Sequence, residues 1–317
     1  MSTPADRAPP SRWTEHEERS TLWTLRLMRW IAMTLGRRVS RLVLHPITLY
    51  FLLFNSKARR ASAQYLARAL QNQPVRWWNV YRHIHHFAAT VLDRVYFLQG
   101  RFDRFDVQAP GAEAINARIT RARGALMVGA HLGSFEALRA IGEDSGLNVA
   151  MLMYEDNARL INATLAAIAP EARLHTIALG RIDSMLALRR WLDDGGIAGL
   201  LGDRTLPGHS ERSRTVWLPF LGTPAKFSDG PFRLAAMLRR PVIFMTGLYQ
   251  GGRVYELRFT ELADFRERPP GGAAEQDERI EAAMQTYVSL LESLCRESPY
   301  NWFNFFDFWA PDDLAVH

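Results

Sequence analysis

The sequence predicts an α/β fold in which a mostly parallel central sheet is covered by helices and preceded by a helical N-terminal region. Two observations support this prediction. From about residue 104, short β-rich apolar runs alternate with amphipathic stretches of helical spacing, which is typical of a parallel sheet covered on both faces. Before that point, residues 13–99 have apolar positions three to four apart, and the prolines that could break their helices are Pro46 and Pro74.

Composition divides the chain into three parts. Its 317 residues are 48% hydrophobic and 23% charged, as in a globular protein. Residues 1–12 hold three prolines and no apolar centre of a secretory signal, so we expect a flexible leader. A helical N-terminal region with a membrane-interface anchor follows over 13–99, and an α/β domain over 100–317. The single cysteine, Cys295, cannot form an internal disulfide, which fits a reducing compartment such as the cytoplasm.

The elements of the α/β domain are predicted in order from apolar runs and helical patterns. The strands are expected at 125–130, 148–154, 174–179, 196–202 and 241–249. Helical patterns lie near 133–144, 156–168, 182–193 and 228–239. We expect residues 253–259 to form a hairpin with the preceding strand, and residues 277–297 to form a long final helix.

Positive charge is concentrated at the N-terminus. The first 70 residues contain twelve arginines and lysines against four acids, whereas the net charge of the whole chain is only +6. A basic end suits an anionic membrane surface, nucleic acid or an acidic carrier protein. Two strongly apolar runs, 22–36 and 42–54, lie among these charges. Nucleic-acid-binding arms are rarely so apolar, so we expect no nucleic-acid partner.

Both apolar runs are too short to cross a membrane as single uninterrupted segments. A spanning helix needs roughly 20 consecutive apolar residues, and these runs are interrupted by Arg26, Arg29, His45 and Pro46. We predict an interfacial anchor that inserts partway, with its arginines at the lipid headgroups. A pair of core helices with basic edges and a tilted single span are the alternatives.

The segment "AHLGSFE" follows the first predicted strand and places His131 and Glu136 at a strand exit. Functional groups gather at such exits in open α/β sheets. On one continuous helix the two side chains would point about 140° apart, so they can meet only if His131 lies in a turn that bends at Gly133. Glu136 could then hold one imidazole nitrogen while the other takes a proton from a substrate. Alternatively, Glu136 favours the helix dipole and His131 is a turn residue.

A second polar cluster follows the strand predicted to end at residue 202. Its cationic members could hold a phosphate of a donor or acceptor, and they are Arg204, Arg212, Arg214 and Lys226. Arg204 lies at the strand exit beside Asp203, which could position it by an ion pair. A solvated basic loop is the alternative for Arg212 and Arg214.

Three further features suggest no additional chemistry. In "RHIHH", only His83 and His86 share a helix face and no carboxylate follows at zinc-site spacing, so we expect no metal. Cys295 lies in an apolar helical stretch, where a buried and inert thiol is expected. No G-x-S-x-G nucleophile elbow is present. The aromatic residues near the C-terminus could line an acyl tunnel or pack the last segment onto the domain.

The segment "AHLGSFE" resembles the H-x4-[D/E] signature of the glycerolipid acyltransferase superfamily, and its surroundings resemble the branch of bacterial late lipid A acyltransferases. Residues 200–235 and the Trp-rich ending at 297–309 are similar to that branch, and the basic, apolar N-terminus matches its membrane anchor. The branch usually has Asn before the histidine and an Asp-Gln pair, where this chain has Ala130 and Asp203-Arg204. The resemblance therefore implies acyl transfer and leaves the acceptor open.

The resemblance implies a membrane-associated O-acyltransferase on the cytoplasmic face of the bacterial inner membrane. It implies direct transfer of an acyl chain, without a further cofactor, from an acyl carrier protein or coenzyme A thioester to a lipid or saccharolipid hydroxyl. His131 would be the general base and Glu136 its orienting group, while the turn at Gly133 and Ser134, or Arg204, would stabilise the oxyanion. The basic surface favours an acidic carrier protein. A lipid or thioester hydrolase with the same pair and a non-catalytic lipid-binding protein are the alternatives.

Overall fold

Three helices open the fold. The computed structural model describes residues 12–71, 73–138, 148–154, 175–179, 182–204 and 214–309, with the side chains of the first helix described from Arg29 onward. The helices are α1 (Arg12–Phe54), α2 (Ser56–Ala69) and α3 (Trp77–Leu98), as the pattern over 13–99 predicted. The predicted leader lies almost entirely outside the described residues.

The break in α1 lies at a glycine and not at the proline. Helix α1 continues through Pro46 and is kinked at Gly36, which has φ 76° and ψ 167°. This backbone conformation suits glycine because glycine has no Cβ. Pro46, one of the two prolines that could break these helices, therefore does not interrupt α1.

A series of strands and helices follows residue 104. In chain order they are β1 (Asp106–Gln108), α4 (Ala112–Ala122), β2 (Ala125–Gly129), β3 (Val149–Tyr154), β4 (His175–Leu179), α5 (Ile182–Asp193), β5 (Ile197–Leu201), β6 (Thr215–Phe220), β7 (Thr223–Ser228), α6 (Gly230–Leu238), β8 (Pro241–Gly251), β9 (Val254–Asp264) and α7 (Gly272–Glu297). Each predicted strand is present. Of the helical pattern near 133–144, the described part holds a 3₁₀ turn at Glu136–Leu138, and the pattern near 156–168 lies outside the described residues.

Seven strands form the central sheet in the order β1-β9-β8-β2-β5-β3-β4. Strands β8, β2, β5, β3 and β4 are parallel, and β9 pairs antiparallel with β8 as the predicted hairpin. All five residues of β2 are buried, which explains its continuous apolar sequence. Gly129 of β2 pairs with Leu201 of β5, so the chain leaves both strands at adjacent points.

The N-terminal helices and the sheet share one hydrophobic core. Tyr65 and Ile84 of the helices belong to the same buried cluster as Leu126 and Val128 of β2. The chain after α7 returns to this core, where Trp302 is fully buried and its backbone bridges that of Leu132. The aromatic C-terminal segment therefore packs onto the domain, which is one of the two alternatives drawn from the sequence.

Helix α1 exposes a large apolar surface. The exposed large side chains of this surface are Trp30, Met33, Leu35, Val39, Leu42, Leu49, Tyr50, Phe51, Leu53 and Phe54. Their exposure argues against the alternative in which both N-terminal runs are core helices, because a series of exposed large apolar side chains on one helix is typical of an interaction surface. Within the described part of the chain, no helix combines the length and apolar content needed to cross a bilayer.

Candidate active site

The exits of β2 and β5 bring His131 and Asp203 into contact. Each residue lies two positions beyond the paired residues Gly129 and Leu201, so the strand register places them side by side. The Nδ1 atom of His131 lies 2.9 Å from Oδ1 of Asp203, and the backbone N–H of His131 donates to Oδ2 at 3.0 Å. The carboxylate therefore holds both the ring and the backbone of His131.

Asp203 is buried and ionised. It is 1% exposed, and its Oδ2 also accepts a hydrogen bond from Nε1 of Trp302 at 2.9 Å. Burial alone would raise the pKa of Asp203, but the neighbouring His131 and Arg204 outweigh burial and hold this pKa below its ordinary value. Because an ionised carboxylate only accepts hydrogen bonds, Nδ1 of His131 must carry the proton that they share.

The other ring nitrogen of His131 is available to a substrate. Within the described residues Nε2 has no hydrogen-bond partner, and the His131 side chain is 32% exposed. With its proton on Nδ1, neutral His131 presents a lone pair at Nε2. This arrangement of a base and an orienting carboxylate is suited to removing a proton from a hydroxyl group.

Trp302 is itself fixed by a buried histidine. Nε2 of His83 donates to the backbone carbonyl of Trp302 at 2.8 Å, and Nδ1 of His83 accepts from the hydroxyl of Ser62 at 2.8 Å. Burial lowers the pKa of His83 to about 4 although the bond to Trp302 acts in the opposite direction, so this histidine is neutral at physiological pH. Ser62 of α2, His83 of α3 and Trp302 thus form a series of hydrogen bonds that ends at Asp203.

Glu136 does not contact His131, which corrects the predicted dyad. Among the described residues, the Glu136 carboxylate pairs with Nε of Arg94 at 2.7 Å and accepts from Oγ of Ser134 at 3.3 Å. The ring of His131 is turned to Asp203, because the strand register fixes that carboxylate at the exit, whereas Glu136 begins a separate 3₁₀ turn. A catalytic role for Glu136 stays a prediction.

The turn at Gly133 is locked by backbone hydrogen bonds. The N–H of Gly133 donates to the carbonyl of Asn301 at 2.8 Å, and the N–H of Ser134 donates to the carbonyl of Gly247 at 2.7 Å. Ser134 is buried and its hydroxyl is bound to Glu136. These two N–H groups are therefore occupied in this structure, which favours Arg204 over them as the oxyanion donor.

We expect Gly133→Ala to destabilise the protein by at least about 2 kcal/mol more than Gly222→Ala. Gly133 has φ +74°, and a Cβ there would overlap the carbonyl oxygen of Gly247. Gly222 is a matched control, because its φ is +80° but no atom lies within 4 Å of its Cβ position. Denaturant unfolding of both variants measures the difference, and equal losses would show that the close approach to Gly247 is unimportant.

Arg204 lies beside the site but does not form the predicted ion pair. Both carboxylate oxygens of Asp203 are bound by His131 and Trp302. Nη2 of Arg204 instead donates to the carbonyl of Phe303 at 3.2 Å, and its guanidinium lies 5.1 Å from the ring centre of Phe306. Burial lowers the pKa of Arg204, although Asp203 acts in the opposite direction.

The remaining predicted cations lie elsewhere or outside the described residues. Lys226 is on β7, where its ammonium lies 5.0 Å from the ring centre of Trp217. Arg214 is exposed, and Arg212 lies outside the described residues. His131, Asp203 and Arg204 therefore lie together, each bonded to Trp302 or Phe303 of the C-terminal segment. Arg214 does not belong to this group.

The sequence did not point to Arg94, and it did not reveal the roles of Trp302 and His83, the two other residues that shape the site. Arg94 lies eleven residues after His83 on α3, a spacing that places both residues on one face of the helix. This spacing is the sequence signal from which Arg94 could have been identified. Trp302 was seen only as one of many C-terminal aromatics. His83 was considered as a metal ligand, but no cluster of three metal-binding side chains is present among the residues that the structure describes. Cys295 is buried as predicted, and burial raises the pKa of its thiol.

Comparison with known proteins gives one short match and one that covers nearly the whole chain. A stretch of 107 residues, 33% of this chain, is 31% identical to a proteasome-associated ATPase of Actinosynnema mirum. The stretch spans 17% of that relative, too little to indicate a shared activity. The family described as bacterial lipid A biosynthesis acyltransferase matches residues 14–310, a range that includes the whole candidate site. This match confirms the resemblance drawn from the sequence, and the chain belongs to the bacterial lipid A biosynthesis acyltransferase family.

Proposed function

We propose that the protein transfers an acyl chain directly from a thioester donor to the hydroxyl of a lipid or saccharolipid acceptor, with His131 as the general base. Membership of the family makes the chain an acyltransferase that acts on lipid. The observation that carries the finer proposal is the contact between His131 and the buried, ionised Asp203, which leaves Nε2 of His131 open to a substrate. Asp203 takes the orienting role that the sequence suggested for Glu136.

The proposed reaction has two proton transfers at one nitrogen. Nε2 of His131 takes the proton of the acceptor hydroxyl while the hydroxyl oxygen attacks the thioester carbonyl carbon, and Asp203 stabilises the imidazolium that forms. The tetrahedral intermediate then collapses with cleavage of the C–S bond. The departing thiolate takes the proton from His131, so that an ester and a free thiol leave and the histidine is neutral again.

Arg204 is the proposed source of positive charge for the oxyanion. The N–H groups of Gly133 and Ser134 are bonded within the fold, whereas the guanidinium of Arg204 has five N–H donors and the structure shows one of them bonded, to Phe303. Arg94, held by Glu136, is proposed to bind an anionic group of donor or acceptor.

The apolar surface of α1 is proposed to insert into the interface at the cytoplasmic face of the bacterial inner membrane. Its exposed tryptophan, tyrosine and phenylalanine side chains are of the kind that favour the headgroup region. Each large apolar side chain that leaves water contributes roughly 1.5–3 kcal/mol. The basic N-terminal region adds attraction to anionic lipids and to an acidic acyl carrier protein, which is the donor we favour.

We expect the double variant Leu42→Asp/Phe54→Asp to bind vesicles at least about tenfold more weakly than the unchanged protein, because each change removes an inserted apolar side chain and adds a charge. Leu42 is 67% exposed and Phe54 is 72% exposed, so the fold does not depend on them. Met237→Asp is a control on α6, since Met237 is 64% exposed. Vesicle flotation measures the binding, and equal binding by the double variant and the control would contradict the anchor.

Acyl transfer can be tested directly with the full chain in mixed micelles. Acyl carrier protein and coenzyme A thioesters are offered in separate reactions with hydroxyl-bearing lipids, and the products are identified by mass spectrometry. We expect an acylated acceptor and an equal amount of free thiol. Release of free fatty acid at the same rate without any acceptor would instead indicate a hydrolase, and consumption of neither donor would contradict catalysis.

A further inference from the structure

A second group of polar side chains lies between α1 and α3 and has no part in the proposed reaction. We call it the α1–α3 cluster, and its members are Arg41, His45, Tyr81, Arg82, His85 and His86. The rings of His45 and His85 are stacked with centres 4.8 Å apart, and Nδ1 of His45 lies 2.6 Å from the hydroxyl of Tyr81. His86 packs against β8, with its ring centre 5.0 Å from that of Tyr249.

Three nitrogens of the α1–α3 cluster are buried without a hydrogen-bond partner among the described residues. They are Nη1 of Arg41, Nε2 of His85 and Nδ1 of His86. Leaving a buried polar atom unpaired costs free energy, and folded proteins pair most of them. A polar ligand held between these two neighbouring helices would give such atoms the partners that they lack.

The charge of the cluster favours an anion. Asp93 is the buried carboxylate next to Arg41, but Arg37 binds both of its oxygens, at 2.7 and 2.8 Å, and Tyr255 donates to it as well. Nη1 of Arg41 lies 3.6 Å from this carboxylate, with no hydrogen bond. One carboxylate thus faces two guanidinium groups, and one positive charge is left unbalanced.

Arg82 adds a further positive charge at the edge of the cluster. Its guanidinium lies 4.5 Å from the ring centre of Tyr300, and this ring lies 5.6 Å from that of His86. Burial, followed by the charges of Arg82, the neighbouring histidines and Arg41, lowers the pKa of His86 to about 3. Asp93 is already bound by Arg37 and faces Arg41, so the surplus positive charge of the cluster favours a negatively charged ligand.

The exposed edge of the cluster lies beside the apolar surface of α1. His45 is exposed, and the next turn of α1 carries Leu49 and Tyr50, two exposed members of that surface. An anion bound at His45 would therefore lie at the depth of lipid headgroups if the apolar surface inserts into a bilayer.

We propose that the α1–α3 cluster binds a phosphate-class oxyanion, supplied by a phospholipid headgroup or by free phosphate. Guanidinium and imidazole N–H groups are suited to the several acceptor oxygens of a phosphate. Bound there, a phosphate would pair Nη1 of Arg41 and, in the tautomers that carry hydrogen at these atoms, Nε2 of His85 and Nδ1 of His86, and it would balance the surplus charge. The site is separate from His131, so its occupancy can be measured without any acyl transfer.

Inorganic phosphate is the first probe. Titration of the full chain in a non-ionic detergent, at constant ionic strength made up with chloride, is expected to raise its melting temperature saturably. Arg82→Met should weaken phosphate binding at least tenfold. Arg76→Met is the matched control, because Arg76 also stacks on an aromatic ring, that of Trp78 at 4.8 Å, but does not belong to the cluster.

His85→Phe separates binding from stability. The phenyl ring keeps the aromatic packing and removes the unpaired Nε2, so without phosphate the variant should be at least as stable as the unchanged protein. Its affinity for phosphate should nevertheless fall at least tenfold. A merely structural histidine would give the opposite result, with lower stability and an unchanged response to phosphate, and that result would overturn the proposal.

Vesicles distinguish the two sources of the anion. If the source is a headgroup, replacing part of the phosphatidylcholine with phosphatidylglycerol tightens binding, and Arg82→Met loses more of this gain than Arg76→Met. If the source is free phosphate, inorganic phosphate raises the melting temperature and the two variants bind both vesicles alike. Equal losses in Arg82→Met and Arg76→Met with both probes, or no response to either probe, would overturn the site.

Discussion

Replacement of His131 by alanine is expected to lower the rate constant for acyl transfer by two to four orders of magnitude, the range that a positioned general base contributes. The loss follows from the proposed mechanism, because among the described residues no second base lies where it could replace Nε2 of His131. Single-turnover measurements in mixed micelles, with product counted by mass spectrometry, isolate the chemical step.

The fold should survive this change. The His131 side chain is 32% exposed, and its main-chain hydrogen bonds with Asp203 and Phe303 do not need the ring. His175→Ala is a suitable control, since His175 is exposed on β4 and stacks on Trp191 at 4.4 Å. Unchanged circular dichroism and vesicle binding with lost transfer would support the proposal, whereas activity within threefold of the unchanged protein would remove His131 from the chemistry.

The parallel strands were predictable because they are buried on both faces. Strand β2, for example, is a continuous apolar run with five buried residues. Such a run in an α/β chain is typical of a buried parallel strand. Strand β1 was not predicted, because it has three residues and only its middle residue, Val107, is even partly buried. The hairpin β6–β7 was not predicted, because each of its strands contains a proline, Pro219 and Pro224, which counts against a strand.

The position of His131 was predictable, but its partner was not. A histidine two residues beyond an apolar strand can be recognised from local sequence, and so can a carboxylate five residues later. Asp203 is 72 residues away, and it reaches His131 only because β5 lies next to β2 in the sheet. Strand order and register are long-range properties, so local reasoning chose the near carboxylate, Glu136, over the distant one. Trp302 was missed for the same reason.

Asp203→Asn is expected to lower the rate constant by about two to four orders of magnitude with little change in KM, as for other orienting carboxylates. In the native site Oδ2 accepts from the N–H of His131 and from Nε1 of Trp302, while Oδ1 faces Nδ1 of His131. These two donors would keep the amide oxygen of Asn at the Oδ2 position, so its NH₂ group would face Nδ1. Nδ1 would then have to accept, and the proton would move to Nε2, where the base must be unprotonated.

Glu136→Gln is the matched comparison, because it changes one carboxylate to an amide of the same shape at the position first predicted from the sequence. It removes the charge that faces Arg94, an ion pair partly open to solvent and worth little by itself, so we expect the rate constant to fall less than tenfold. Measured side by side, the two variants rank the carboxylates. A larger loss in Glu136→Gln than in Asp203→Asn would contradict the assignment of the orienting role to Asp203.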